Sequence, residues 1–161
     1  MNRVELFLNF ELRAQHSLSV REEPHEHVWK LRFTFSGSPI ETGPKRGMIL
    51  DLVETRRRID SWLSALQGVY LNESSDLGDA ARSAPTCEAL AQSAFDWVHE
   101  YCERELAVNN PTVEIESVSV AVTEPTGFEW GGARVSRSES VGHPGLRHAR
   151  TPASIVIKHS H

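Results

Sequence analysis

Apolar and polar residues alternate without a break along RVELFLNFELRAQ, residues 3–15, where Val4, Leu6, Leu8, Phe10 and Leu12 take every second place. A period of two marks a strand with one buried face. EHVWKLRFTFS, residues 26–36, repeats the pattern and reads as a second strand. GSPIETGPKRG, rich in Gly and Pro, reads as a loop. From Leu52 to Leu66 the period changes. Leu52, Ile59, Leu63 and Leu66 share one face of a helix. LNESSDLGDAARSAPT is polar and irregular. A second helix is expected from Cys87 to Leu106, with Pro85 and Thr86 at its start. TVEIESVSVAVTEP alternates again, and its change of phase between Ile115 and Val118 marks a bulge. GFEWGGARV is a short last strand. The order is β-β-α-α-β-β, an α+β arrangement. We expect one domain over residues 1–135 and a mobile C-terminal tail over 136–161, in which only SIVI is suited to docking.

Composition narrows the function. The length of 161 residues suits a single domain, and 39% hydrophobic residues are enough for a core. A formal net charge of −5 argues against a nucleic-acid binder that works through phosphate contacts. No apolar run reaches the roughly 20 residues of a membrane span, and the charged N-terminal stretch does not resemble a signal peptide. Cys87 and Cys102 are the only cysteines. Fifteen residues along one helix separate them by ~22 Å, too far for a disulfide. Their usage suggests a reducing cytoplasm.

The candidate chemistry lies in EEPHEHVWKL, residues 22–31. His25 and His27 stand two apart at the head of the second strand, so both imidazoles leave the same face. Two ligands are too few for zinc. The first strand ends in His16, and a hairpin of the first two strands sets it against His25 and His27. Three imidazoles leave a fourth position open, as catalytic zinc sites do. Without His16, a His-x-His pair on a strand is more often just partly exposed.

Six segments then appear in a familiar order: FELRAQH ending at His16, HEH at 25–27, GMILDLVETRRRI from Gly47, LQGVYLN at 66–72, PTCEALA at 85–91 and VAVTEP ending at Glu124 and Pro125. Together they resemble the family of 6-pyruvoyl-tetrahydropterin and 6-carboxy-tetrahydropterin synthases, over roughly Leu6 to Val135. The resemblance implies the tunnelling fold, with subunits closing into trimeric barrels that often stack as hexamers around active sites between subunits. It implies zinc on His16, His25 and His27. It also implies that Glu124 grips the N–H groups of a substrate ring, a task suited to a carboxylate that accepts two parallel hydrogen bonds. Thr86 and Glu88 match the family's helix start and are candidate substrate contacts.

The departures are as informative. The family's usual cysteine, four residues before the first histidine of the pair, is Arg21 here, and its Asp-His pair is Gln67-Gly68. Glu22 and Glu23, in the loop that carried the cysteine, are candidates for the catalytic base, against a plainer reading as a solvated acidic loop. Thr86 also reads as a helix cap and Glu88 as a charge favoured by the helix dipole. Cys87 reads as an inert buried helix thiol rather than a displaced nucleophile. The tail histidines His143, His148, His159 and His161 could replace the lost acid only by folding over the pocket. Arg56 to Arg58 read as the solvated face of the first helix.

The expectation is a zinc-dependent lyase or cyclase. It would act on a carbonyl- or hydroxyl-bearing small molecule through enolate-type chemistry, as a self-associating cytoplasmic protein with no nucleic-acid or membrane partner. The competing expectation is a non-catalytic protein that keeps the metal site and binds a pterin-like ligand or another protein.

Overall fold

β1 (Val4–His16) and β2 (His25–Gly37) form a long antiparallel hairpin, in continuous register from Val4 opposite Gly37 to His16 opposite His25. The computed structural model describes residues 2–124, 126–127, 129–138 and 154–158. β3 (Glu114–Thr123) pairs with β2, β4 (Glu129–Ser136) with β3, and β5 (Ser154–Lys158) with β4, all antiparallel, in the order β1-β2-β3-β4-β5. The expected β-β-α-α-β-β frame is present, and β5 extends it from within the tail. The rest of that tail from residue 139, including His143, His148, His159 and His161, lies outside the described residues.

Alternation decides which face is buried. Leu8, Phe10, Leu12 and Ala14 on β1 and Trp29, Leu31, Phe33 and Phe35 on β2 are buried, while the residues between them on β1 are exposed. Each buried large side chain contributes on the order of 1.5–3 kcal/mol relative to exposure. The change of phase in β3 is a bulge. The β2 pairing steps from Ser117 opposite Thr34 to Ile115 opposite Phe35, which passes over Glu116. Ile115, Val118 and Val120 can then all reach the core. Gly132 is required where β4 crosses β3, because a Cβ there would lie 2.3 Å from the Val120 carbonyl oxygen.

Two helices cover the apolar face. α1 (Leu52–Ser64) starts at Asp51, whose carboxylate accepts the Val53 and Glu54 N–H groups at 3.1 Å each. It buries Thr55, Ile59 and Leu63. A short helix, α2 (Asp79–Ser83), falls within the stretch that reads as irregular in sequence. Leu71, Leu77 and Ala81 tie that stretch to the core. α3 (Cys87–Tyr101) packs on β3 and β4 through Leu90, Ala91, Ala94, Phe95, Val98 and Tyr101. The helix expected to reach Leu106 continues past Tyr101 as a π-helical turn, Cys102–Leu106.

Candidate metal centre

The hairpin brings His16, His25 and His27 together at one end of the sheet. Their ligand atoms lie within 4.8 Å of one another. Ring centroids are 4.6 Å apart for His16 and His25, 5.1 Å for His16 and His27, and 4.7 Å for His25 and His27, each pair edge to face. Pairing and pleat cause this convergence. His16 is directly opposite His25, and His27 follows on the same face of β2. Glu26, between them, leaves the other face and forms an ion pair with Arg13 at 2.8 Å.

His16 is almost fully buried, and its Nδ1 lies 2.7 Å from the Pro85 carbonyl oxygen. A carbonyl only accepts, so Nδ1 carries the proton and Nε2 presents a lone pair. That Nε2 is buried without a hydrogen-bond partner among the described residues. A buried acceptor left unpaired is costly, and a metal ion would satisfy it. Backbone donation from the opposite ring nitrogen is the usual way proteins fix the tautomer of a histidine ligand. On this observation the residues fit zinc, which takes imidazole ligands readily. Burial lowers the pKa of His16 and of His27 below the ordinary imidazole value, and the neighbouring imidazoles act in the same direction.

The connection after His16 is held in place. Asn72 accepts the Ser17 N–H at 3.0 Å and donates to the Ser17 carbonyl at 2.9 Å, and the Ser17 and Tyr70 hydroxyls are 2.6 Å apart. Glu22 closes the turn by accepting the Leu18 N–H at 2.6 Å. Its other carboxylate oxygen stands 3.7 Å from Nδ1 of His25. Glu23 reaches the same ring only through its carbonyl, at 3.4 Å. Arg21 is exposed.

The remaining candidates come from α3 and the end of β3. The Thr86 hydroxyl caps α3 by accepting the Ala89 N–H at 3.2 Å, and Glu88 lies in the first turn. Pro85 bonds to His16, and α3 packs on β3, which sets this helix start beside the imidazoles. Burial, with Glu88 adding to it, pushes the Cys87 thiol up to about 11. Glu124 directly follows Thr123, which pairs with Val28, the residue after His27. Its carboxylate accepts from the Thr126 hydroxyl at 3.3 Å.

Gln67 and Gly68 do not face the imidazoles as an acid pair. They run along the outer edge of β1, where Gly68 N–H donates to the Arg13 carbonyl at 2.7 Å and Gln67 Oε1 accepts the Arg13 N–H at 3.3 Å. The Pro85 carbonyl and the buried Trp29 beside the rings were not read from sequence. Pro85 acts through its backbone, and Trp29 has the same alternating place in β2 as any other core residue. A wide groove of about 1240 Å³, lined by Asn9, Glu11, Lys30, Arg32, Arg56 and Arg134 among others, includes none of the three histidines.

A model of the family 6-pyruvoyl tetrahydropterin synthase matches residues 5–130. The fold is that of solved structures of low identity. A 6-pyruvoyl tetrahydropterin synthase of Caenorhabditis elegans is 18% identical, with a TM-score of 0.57, over 86% of this chain and 98% of that one. The Plasmodium vivax enzyme of the same name is 13% identical, with a TM-score of 0.58, over 85% and 99%. A Wolinella succinogenes protein described as uncharacterized is 12% identical, with a TM-score of 0.60, over 86% and 100%. A variant structure of the P. vivax protein replaces a catalytic glutamate with alanine. Among curated proteins, none matches the sequence.

Proposed function

Because the chain belongs to the 6-pyruvoyl tetrahydropterin synthase family, we propose that it is a zinc-dependent lyase or cyclase whose substrate has changed. The substrate is a carbonyl- or hydroxyl-bearing small molecule, and the chemistry is of the enolate type: aldol, retro-aldol or isomerisation. The observation that carries this reading is the buried Nε2 of His16, without a hydrogen-bond partner among the described residues, within a cluster of three imidazoles.

His16, His25 and His27 would hold the ion. When bound, zinc supplies a positive charge that polarises a hydroxyl or carbonyl oxygen and eases proton loss from the neighbouring carbon. The chain must supply the rest. The Pro85 carbonyl holds His16 in one tautomer, and Glu22 stands beside His25. The base is a carboxylate of the 17–24 loop. Glu22 lies closer to the imidazoles than Glu23 by its side-chain contacts, and a catalytic glutamate in the P. vivax relative supports a carboxylate in this role. Glu124 accepts from ring N–H groups of the substrate, with Thr86 and Glu88 at the adjoining helix start. Self-association as a trimer or hexamer closes the pocket, and the protein works in the cytoplasm.

A specific observation favours a second reading, a non-catalytic ligand binder. Arg21 is no base, because a guanidinium stays protonated, and Gln67-Gly68 is engaged with β1. Turnover separates the two. Purified protein is assayed against carbonyl-bearing heterocycles with and without a zinc chelator, beside His25→Ala. Turnover that is lost with the chelator and in His25→Ala supports the enzyme. Ligand binding without turnover supports the binder. Full zinc retention by His25→Ala in elemental analysis removes the metal site itself.

A further inference from the structure

We propose that Trp29 is a positioning residue for the metal site, its indole forming the floor against which His16 and His27 are held. This rests on the reading of the three histidines as zinc ligands. Trp29 follows His27 by two residues on the same face of β2, and it pairs with Leu12 on β1 and Val122 on β3, so strands flank it on both sides. It is 1% exposed. Its ring lies 4.9 Å from that of His16 at 86°, and 5.7 Å from that of His27 at 83°. Both imidazoles therefore meet the indole edge to face, a favourable arrangement for aromatic pairs.

One flat side chain thus touches two of the three ligands from the core side. It stops either ring from turning down into the sheet. The Pro85 carbonyl fixes His16 at Nδ1, and the indole fixes the tilt of its ring plane.

The indole carries a cost that a purely apolar filler would not. Its Nε1–H is buried with no partner among the described residues. Buried tryptophans usually pair that group. A leucine or phenylalanine would occupy the core here without an unpaired donor. Departures from good core chemistry concentrate where function needs them, and this one lies against the ligand set.

Zinc affinity by chelator competition, and the visible bands of the cobalt-substituted protein, read the proposal directly. Trp29→Leu removes both edge contacts, and zinc affinity should fall about 10- to 100-fold, the range for lost supporting contacts around a metal. Its cobalt bands should shift. Trp29→Phe keeps an aromatic edge and should restore affinity most of the way to wild type. Melting of the metal-free proteins is followed in parallel, since a residue that only fills the core would lower melting without moving affinity or bands in the folded state. Should Trp29→Leu not fold, Trp29→Met, of similar volume but more adaptable in shape, carries the same expectation. Wild-type affinity and unshifted bands in the folded non-aromatic variant would overturn the proposal. If wild-type protein itself takes up no zinc, the metal reading fails and the role of Trp29 fails with it.

Discussion

His16 donates its Nδ1–H to the Pro85 carbonyl oxygen across 2.7 Å, joining the end of β1 to the residue before the cap of α3. The bond links chain segments 69 residues apart and settles which imidazole nitrogen is left for a ligand. It favours the protonated ring, yet burial outweighs it and the pKa of His16 falls. Two histidines at one point with lowered pKa values, His16 buried and His27 half-buried, make the fold sensitive to acid.

The sign of that sensitivity follows from the lowered pKa values of His16 and His27. An unfolded histidine takes up a proton near pH 6.5. In the folded, metal-free chain these two resist it to lower pH. The unfolded state therefore binds more protons, and stability falls as pH drops below about 6.5 and through the folded values. Above that pH the contribution is fully present. The urea midpoint of metal-free protein should be lower at pH 5.5 than at pH 7.5. His16→Gln combined with His27→Gln should flatten the difference. An unchanged slope in the double variant would assign the acid sensitivity to other groups.

Cys87 should be chemically quiet. Its thiol is half-buried and pushed up to about 11, so little thiolate exists at neutral pH. Alkylation of the native protein at pH 7.5 should be far slower than that of a free thiol, and Cys87→Ser should leave turnover close to wild type. Fast labelling together with loss of activity would reinstate Cys87 as the nucleophile.

What the sequence disclosed, and what it hid, follow one physical rule. Repeating burial is legible and single contacts are not. The alternation from Val4 to Leu12 and from Val113 to Val122 identified the strands. The slip between Ile115 and Val118 identified the bulge at Glu116, because a change of phase has no other cheap cause in a half-buried strand. The three histidines were legible because pleat and pairing alone bring them together. α2 was not, since it buries only Ala81 in a polar stretch. The Pro85 carbonyl was invisible because every residue has one. Gln67-Gly68 was legible as a departure from the family pattern but not as an edge pairing along β1, which no spacing reveals.

Glu124→Gln keeps the size of the side chain and removes its charge. If Glu124 accepts ring N–H groups, a charge-assisted hydrogen bond is lost, typically about 1.5–3 kcal/mol. Affinity for an N–H-bearing heterocycle measured by calorimetry should fall at least about tenfold. Zinc content should stay the same, because Glu124 is outside the cluster of three imidazoles. Unchanged heterocycle binding would mean that the end of β3 no longer serves the ring.

Restoring the family's histidine at Gly68 should cost stability and bring no chemistry. Gly68 has φ +72°, a left-handed conformation, and its N–H is bonded to the Arg13 carbonyl. A Cβ built there meets nothing within 4 Å, so crowding is not the obstacle. The obstacle is the backbone itself, where an L-residue in this region costs roughly 1–2 kcal/mol. Gly68→Ala and Gly68→His should therefore lose similar stability in urea denaturation, since the penalty arises at Cβ and not at the imidazole. Gly68→Asn should lose less, because asparagine tolerates this region better. Gly68→His should also fail to convert the family's substrate, dihydroneopterin triphosphate. The neighbouring acid position is still Gln67, and Arg21 cannot take a proton, so Glu22 is left as the base of a pocket whose substrate has changed. Each missing acid–base group typically costs about 10²–10⁴ in rate. Full stability of Gly68→His would show that the turn beside β1 can leave the left-handed region. Turnover appearing in the same variant would show that the substrate has not changed and that, with Glu22 or Glu23 as base, only the acid was missing.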